Sequence, residues 1–268
     1  MFKTYYGLTF DPFTKETETK HFYKSAEFKE ALNRIEFLKS AKGIGLITGQ
    51  PGAGKTSLLR YFESTLNSNL YKCVYIPLST LTVMDFYKAL CDGLGVSPGF
   101  KKVTMFKQIQ EAIYNLSYNK NITPVIILDE AQYLKNAILD DLRIVLNFNM
   151  DSKDYAILLL VGQMTFINQL QRQNHDALRQ RIVVNYYLNG LTKDETKEYI
   201  ISRLAFAGCH EPIFTDDALE LLFSCTNGLL RPLNSIARLS LISGAAKQTR
   251  SIDSDIVFNA QKEVNLNI

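Results

Sequence analysis

The stretch Gly49-Gln50-Pro51-Gly52-Ala53-Gly54-Lys55-Thr56 decides how this chain is interpreted. An apolar run, Ile44 to Thr48, precedes it, and a helical pattern from Ser57 to Phe62 follows it. A strand, a glycine-rich turn and a helix in this order are the context in which G-x-x-x-x-G-K-[ST] predicts a phosphate-binding loop. Glycines allow backbone angles that turn successive N–H groups towards phosphate oxygens, and the positive end of the following helix favours the same anion.

Two side chains of this loop have specific expected roles. Lys55 can reach the β- and γ-phosphates of a nucleoside triphosphate such as ATP, and the Thr56 hydroxyl can ligate Mg²⁺. We count Ser57, the next residue, with the nucleotide-binding stretch. The competing interpretation is a chance glycine turn before a helix, and a second motif downstream argues against it.

The composition is that of a soluble globular chain. The 268 residues are 46% hydrophobic and 21% charged, enough for one large domain or for a domain with a small lid. No run reaches the roughly 18 apolar residues of a membrane helix, and the N-terminus lacks the apolar core of a signal peptide. We therefore expect a cytoplasmic protein without membrane insertion. The formal net charge of +3 neither requires nor excludes nucleic acid.

The cysteines and histidines predict no metal or redox site. The four cysteines are Cys73, Cys91, Cys209 and Cys225, and no two of them form a C-x-x-C pair. We expect free thiols. Cys209-His210 has the chemistry of half a metal site, but no second half is visible.

Strands and helices alternate from about residue 43 to residue 190. This pattern predicts an α/β sandwich with a parallel sheet. The expected strands are Ile44–Thr48, Lys72–Leu78, Pro124–Glu130, Ala156–Val161 and Ile182–Leu188. From Thr192 onward the patterns are helical, beginning with a capping box at Thr192 and Glu195.

The same patterns predict three segments. These are an N-terminal arm over 1–25, a nucleotide-binding α/β domain over 26–190, and a helical lid domain over 191–268. The arm is rich in aromatic residues. It can pack on its own domain, or it can lie near the nucleotide base or on a neighbouring subunit.

The second motif is an acidic pair, Asp129 and Glu130, at the end of an apolar strand. The carboxyl ends of parallel strands are where α/β sheets bind their ligands. Asp129 is expected to hold Mg²⁺ beside Thr56, and Glu130 is expected to orient and polarise the attacking water. An isolated Asp-Glu pair is weak support, but together with the upstream Lys55 it predicts a complete nucleotide site.

Taken together, these motifs resemble the AAA+ ATPases, and within them the ExeA-type branch that includes TnsC-type and MuB-type transposition regulators. The resembling stretches are Tyr6–Phe13, Phe22–Tyr23, Glu27–Ile35, Gly49–Thr56, Ile126–Gln132, Leu159–Gln163, Leu178–Ile182 and Gly228–Ile236. Each is short, but they occur in the right order over nearly the whole chain. The resemblance implies a P-loop sandwich with a five-stranded parallel sheet and a helical lid.

The resemblance also implies roles for individual residues. Gln163 ends the fourth strand, where the family keeps a polar residue that senses the γ-phosphate; the alternative is a strand-capping role. Arg181 lies where the family places an arginine finger that acts on the neighbouring subunit's nucleotide, and Arg179 is the alternative. Arg231 matches the second sensor, at the start of a lid helix. A finger in trans implies a homo-oligomeric ring or filament.

The transposition branch is known for ATP-bound filaments on duplex DNA. By this resemblance, Lys101, Lys102 and Thr104 in a loop between two helices, and Lys120 beyond the second helix, are candidate phosphate contacts, with ordinary loop charges as the alternative. The leading hypothesis is an ATP-dependent DNA-binding regulator that recruits or activates a transposase and disassembles on hydrolysis. The alternatives are an ExeA-type secretion or cell-envelope ATPase and a slowly hydrolysing assembly switch. ExeA-type proteins typically carry a membrane helix and a cell-wall-binding region beyond the ATPase, and we expect neither here.

Overall fold

The structure is a computed structural model that describes residues 2–77, 81–148 and 152–264. Its strands are β1 Gly43–Gly49, β2 Tyr71–Pro77, β3 Thr123–Asp129, β4 Ile157–Gly162 and β5 Ile182–Leu188. Its α-helices are α1 Phe2–Tyr5, α2 Ala26–Ala41, α3 Lys55–Thr65, α4 Val83–Leu94, α5 Lys102–Tyr114, α6 Asn136–Val145, α7 Met164–Leu170, α8 Asp176–Arg179, α9 Lys193–Phe206, α10 Asp216–Thr226, α11 Leu230–Ala246 and α12 Ser254–Val264. Leu78, at the end of the second expected strand, lies outside the described residues.

Contacts along the chain divide it into two compact units. The sheet unit consists of Glu30–Gly49 and Leu58–Leu188. The helical unit consists of Met1–Lys29, Gln50–Ser57 and Asn189–Ile268. The phosphate loop thus groups with the helical unit, although the sequence places it in the α/β segment. The predicted domain boundaries after residues 25 and 190 stay predictions.

The sheet unit contains a five-stranded sheet in the order β2-β3-β4-β1-β5, with every pair parallel. The predicted three-layer α/β fold is confirmed. Strand β4 lies in the middle and is fully buried, which explains its uninterrupted run of leucine, isoleucine and valine. Because the strands are parallel, Gly49, Asp129 and Gly162 end their strands at the same, carboxyl edge of the sheet.

Both faces of this sheet are covered. One face contributes Leu46, Leu128 and Leu160 to a core that also contains Phe86 and Leu142 from the helices. On the other face, Gly45 of β1 makes room for α2. A Cβ atom at this position would lie 2.5 Å from Leu38 Cδ1, so any larger residue would have to displace this leucine, and glycine favours the close approach of helix and strand.

The helical unit has its own core, built from α9 to α12 and the N-terminal segment. Tyr6 is buried in this core, and its hydroxyl donates to the carbonyl of Thr249 at 2.9 Å. The buried Arg203 of α9 donates to the carbonyl of Pro12 at 2.6 Å and to Thr17 Oγ1 at 2.8 Å. Of the arrangements expected for the arm, packing on the protein's own helices is the one that these contacts support.

Two helix starts show where the local sequence signals were and were not informative. The capping box is confirmed, because Glu195 N donates to Thr192 Oγ1 at 3.2 Å and Thr192 N donates to Glu195 Oε2 at 3.0 Å. The expected loop position of Lys102 and Thr104 is wrong, because α5 begins at Lys102 with Lys101 as its N-cap. Sequence reasoning missed this start because a lysine is a poor N-cap and is disfavoured at the positive end of a helix.

Candidate nucleotide site

The phosphate loop has the backbone that its sequence predicts. Gly52 and Gly54 have φ angles of 89° and 102°, which residues with a Cβ atom rarely adopt. The buried Lys55 folds back over the loop, and its Nζ donates to the carbonyl of Gln50 at 3.0 Å. Thr56 is exposed in the first turn of α3. The other residues predicted to bind nucleotide in this stretch are Gly49, Pro51, Ala53 and Ser57, and their roles stay predictions.

Within the helical unit, the start of α11 packs against the same loop. Arg231 N donates to the carbonyl of Gly52 at 3.3 Å. A Cβ atom at Gly52 would lie 2.8 Å from Arg231 Cβ, and one at Gly54 would lie 3.1 Å from Leu230 Cδ1. Backbone conformation therefore favours glycine at both positions, and the closeness of α11 adds a second requirement at Gly52. The backbone contact places Arg231 next to the loop, whereas the sensing role of its exposed side chain stays a prediction.

The acidic pair lies at the carboxyl edge of the sheet. Asp129 is 4% exposed and is the last residue of β3. Its Oδ1 accepts the N–H of Glu130 at 2.8 Å, and its Oδ2 accepts the hydroxyl of Tyr75 at 3.0 Å. Burial and the charges of Asp129 and Glu130 raise the pKa of Tyr75 to about 12, so this hydroxyl stays a donor.

Sequence reasoning missed Tyr75. In the register of β2 with β3, Tyr75 pairs with Ile127 and Pro77 pairs with Asp129. Tyr75 is two residues before Pro77, so it projects from the same face of the sheet as Asp129. The register was not available from the sequence, but a tyrosine near the end of a strand was a recognisable candidate for a hydrogen bond to an acidic residue.

Glu130 has an unusual backbone and a specific side-chain contact. Its φ angle is 53°, in the left-handed region that few residues other than glycine adopt. Gln132 Nε2 donates to Glu130 Oε2 at 2.5 Å. The other end of the same amide, Gln132 Oε1, accepts the N–H of Gln163 at 3.1 Å. The structure thus brings Glu130 and Gln163 to opposite ends of a single side chain that the sequence reasoning did not assign.

The two predicted finger arginines lie at the opposite, amino edge of the sheet. Arg181 directly precedes β5, and its Nη1 donates to the carbonyl of Arg143 at 2.7 Å. Burial and the neighbouring Arg143 lower the pKa of Arg181. Arg179 is more exposed and forms an ion pair with Asp176 at 2.8 Å. Arg181 also lines a cavity of about 290 Å³ whose walls include Asp154, and burial raises the pKa of Asp154.

These arginines are far from the carboxyl edge of their own sheet. Ile182 pairs with Ile44 at one end of β1, and Leu188 pairs with Gly49 at the other. The six-residue step from Gly43 to Gly49 corresponds to about 20 Å of strand. The structure therefore does not bring Arg179 or Arg181 together with Asp129 and Glu130 within one subunit.

The side chains at the phosphate loop and the acidic pair suit Mg²⁺ better than a metal ion whose ligands are all protein side chains. Within the described ranges, no group of three or more His, Cys, Asp or Glu side chains could hold a metal ion. Mg²⁺ needs fewer protein ligands, because it is usually held by one or two carboxylate or hydroxyl oxygens together with water and substrate phosphates. Asp129 offers carboxylate oxygens of this kind in the sheet unit, and Thr56 offers a hydroxyl oxygen in the helical unit. All four cysteines, including Cys209, are free thiols.

The predicted DNA contacts fall into two separate places. Lys101 and Thr104 are exposed at the start of α5, and Lys102 Nζ lies 2.7 Å from Asp141 Oδ2. Beside them, Phe100 is 99% exposed. We call Phe100, Lys101, Lys102 and Thr104 the basic tip. Lys120 follows the π-helical turn that extends α5, so it lies about 27 Å along the helix axis from Lys102.

The residues that build the basic tip are held in place from α5. Gln108 Oε1 accepts the N–H of Gly99 at 3.0 Å, and Gln108 Nε2 donates to the carbonyl of Ser97 at 3.1 Å. These two bonds fix the loop that presents Phe100.

None of the helices in residues 2–77, 81–148 and 152–264 combines the length and the hydrophobicity of a membrane-spanning segment.

Comparison with known proteins adds relatives and a family. Residues 38–170 match the family described as AAA domain. Over 99% of its length the chain is 31% identical to general secretion pathway protein A of Aeromonas hydrophila, and it spans about half (49%) of that protein. It is 23% identical to the ATP-dependent target DNA activators B of Escherichia phages D108 and Mu, covering 94% of this chain and 76% of each activator.

Solved structures support the fold. Cdc6p from Pyrobaculum aerophilum matches 94% of this chain and 70% of its own, with a TM-score of 0.73 and 18% identity. The Aeropyrum pernix ORC1 protein in complex with DNA covers 94% of this chain and 68% of its own, with a TM-score of 0.68 and 16% identity. The RuvB branch migration motor of Thermotoga maritima covers 91% and 72%, with a TM-score of 0.60 and 21% identity.

The phosphate loop, the acidic pair and the strand order all indicate a P-loop fold, and the solved structures share that fold. The sequence resemblance to ExeA-type and MuB-type proteins is confirmed by the secretion protein and the phage activators. Residues 38–170 therefore match the AAA domain family, and the fold of the chain is the P-loop α/β fold.

Proposed function

We propose that this chain is a Mg²⁺-dependent ATPase. Lys55 and the backbone of the phosphate loop bind the phosphates, Thr56 and Asp129 hold Mg²⁺, and Glu130 accepts a proton from the attacking water. Mg²⁺ supplies charge neutralisation at the phosphate oxygens. The observation that best supports this proposal is the loop itself, because the positive φ angles of Gly52 and Gly54 are what a phosphate-binding backbone requires.

We also propose that the active protein is a ring or filament of identical subunits. The support is the strand length that separates the finger candidates from the carboxyl edge, about 20 Å. An arginine at Arg179 or Arg181 that stabilises the transition state must then act on a neighbouring subunit. Such a finger contributes roughly 10³- to 10⁵-fold to the rate. To reach a neighbouring nucleotide, Arg181 has to break its hydrogen bond to the Arg143 carbonyl. Arg179 has to break only its exposed ion pair with Asp176.

For the partner, we propose duplex DNA bound through the basic tip. Lysines provide sequence-independent phosphate contacts, and an exposed apolar side chain beside them can insert between bases or lie against sugars. The phage relatives are ATP-dependent target DNA activators, which also supports DNA as the partner. In that role the assembly recruits or activates a transposase, and hydrolysis releases it from DNA.

A second candidate function is that of a secretion-pathway ATPase. The observation that favours it is the 31% identity over 99% of the chain to the secretion protein, against 23% to the phage activators. The relatives thus support this class at least as well as the transposition class. In that role the nucleotide cycle drives assembly with envelope proteins, and duplex DNA has no effect on it.

Turnover and binding by purified protein test the ATPase proposal. We expect Lys55→Ala to abolish nucleotide binding. We expect Glu130→Gln to keep nucleotide binding, to lose turnover and to trap the assembled form. Glu16→Gln, at an exposed carboxylate, is the matched control and should behave as wild type. Equal turnover of wild type and Glu130→Gln would contradict catalysis by Glu130, and if both are equally slow, ATP acts as an assembly switch.

Fluorescence anisotropy with a labelled duplex separates the two partner classes. A DNA regulator binds the duplex more tightly with an ATP analogue, and DNA changes its ATP turnover. We expect Lys101→Ala to weaken binding and to lower the slope of log affinity against log salt by about 1, since one phosphate contact is lost. Lys15→Ala removes an exposed lysine elsewhere and should leave the slope unchanged. If duplex binding is undetectable both with and without ATP analogue, the DNA-regulator proposal is wrong, and the secretion-pathway ATPase is the remaining candidate.

A further inference from the structure

One side-chain amide joins the ends of two neighbouring strands at the carboxyl edge of the sheet. Gln132 follows β3 and donates from Nε2 to Glu130 Oε2 at 2.5 Å. Its Oε1 accepts from the backbone N–H of Gln163, which directly follows β4, at 3.1 Å. The donor half of the amide faces a carboxylate and the acceptor half faces an N–H group. A flipped amide would lose both bonds, so its orientation is determined by its partners.

The surroundings hold Gln132 in this position. The residue lies in the short 3₁₀ turn Ala131–Tyr133, whose Ala131 is completely buried. Gly162, the last residue of β4, leaves space for the amide, because a Cβ atom there would lie 2.9 Å from Gln132 Oε1. A bulkier residue at Gly162 would displace the side chain. The bridge is therefore part of the fold at this edge of the sheet.

We propose that Gln132 is a positioning residue that orients the Glu130 carboxylate and transmits shifts of Gln163 to it. This inference rests on the proposed ATPase function and on the proposed role of Glu130 as proton acceptor. With Oε2 held by the amide, the carboxylate plane is fixed and Oε1 is presented to water. Because the same amide is bonded to the Gln163 backbone, movement at the end of β4 changes the orientation of Glu130.

Steady-state kinetics of Gln132 variants test the proposal. We expect Gln132→Ala to lower kcat about 10-fold, the effect of losing one hydrogen bond to a charged group. The KM for ATP should stay within about twofold of the wild-type value, because Lys55 and Thr56 are unchanged. Gln171→Ala, an exposed glutamine in the loop after α7, is the matched control and should be unaffected.

The Gln132→Glu variant separates the two bonds of the bridge. The introduced carboxylate keeps an acceptor for the Gln163 N–H but cannot donate to Glu130, and it adds repulsion. We expect kcat at neutral pH to fall at least as far as in Gln132→Ala. As the pH is lowered, the introduced carboxyl gains a proton and becomes a donor again, so its deficit relative to wild type should shrink. A purely structural role for Gln132 would not produce this pH dependence.

The outcomes distinguish failure of this proposal from failure of the proposed function. An unchanged kcat in both Gln132 variants, while Glu130→Gln abolishes turnover, would overturn the positioning role and leave the ATPase intact. A higher KM with unchanged kcat would also overturn it, since it would place Gln132 in nucleotide binding. If kcat falls only in proportion to the fraction of protein that binds an ATP analogue, the effect is on folding and the proposal is wrong. Unchanged turnover in Glu130→Gln would instead remove the proposed role of Glu130, and absence of turnover in the wild type would remove the proposed ATPase function itself.

Discussion

The Gly52→Ala substitution tests the contact between the phosphate loop and α11. Gly52 has a φ angle of 89°, and a residue with a Cβ atom held in such a conformation costs about 1–3 kcal/mol. The added methyl group would also lie 2.8 Å from Arg231 Cβ and 3.3 Å from Pro232 Cδ. Forcing an extra carbon into a packed contact typically costs another 1–3 kcal/mol. The expected loss of stability is therefore about 2–6 kcal/mol.

Thermal unfolding measures this loss, and a second glycine provides its control. For a chain of this size, each kcal/mol corresponds to about 2–4 °C, so we expect Tm to fall by roughly 5–20 °C. ATP-analogue binding should be lost as well. Gly7 has a φ angle of 69°, but a Cβ atom there would meet nothing within 4 Å. Gly7→Ala therefore carries the conformational cost without the close contact, and it should lose about half as much stability or less.

The comparison of these two variants decides the point. If Gly52→Ala and Gly7→Ala lower Tm equally, then the closeness of Arg231 adds nothing and the account of the loop is wrong. If Gly52→Ala is as stable as wild type but does not bind nucleotide, the start of α11 can shift away from the added methyl group with little loss of stability. The glycine would then be required by phosphate binding alone.

Two further predictions concern the two edges of the sheet. Tyr75→Phe removes the hydroxyl bonded to Asp129, and we expect about a 5-fold lower kcat and a higher Mg²⁺ requirement. Because the pKa of Tyr75 is raised to about 12, its hydroxyl stops donating to Asp129 only as the pH rises from about 10 to 12. The ratio of wild-type kcat to Tyr75→Phe kcat should therefore be constant from about pH 6 to 9. Arg181→Ala and Glu130→Gln subunits, each inactive alone, should recover ATPase activity when mixed if Arg181 acts in trans; no recovery would contradict that assignment.

The sequence predicted those features that depend on neighbouring residues. The phosphate loop, the apolar strand before the acidic pair, and the capping box at Thr192 are all encoded within a few consecutive positions. Strand-helix alternation was enough to predict the parallel sheet. The start of α5 at Lys102 was not predicted, because its first turn lacks the usual capping side chain and carries a lysine at the unfavourable end.

Contacts between distant positions could not be predicted in the same way. The bond from Tyr75 to Asp129 depends on the register of β2 with β3, and the sequence contains no local signal for that register. The distance of Lys120 from the basic tip depends on α5 continuing through a π-helical turn, a rare element with no clear sequence pattern. The grouping of the loop with α11 depends on a contact across about 180 positions of the chain, between Gly52 and Arg231.

The stretch Ile126 to Gln132 shows why the acidic pair alone was weak support and the longer motif was strong. Asp129 is oriented by bonds to Oδ1 and Oδ2, and Glu130 occupies a left-handed conformation that an ordinary turn would not impose on it. Ala131 has no exposed surface, so a larger side chain would push the turn away from the sheet. Gln132 then holds Glu130 from the other side. Four consecutive residues thus have separate physical requirements, and a chance Asp-Glu pair would not meet the last three.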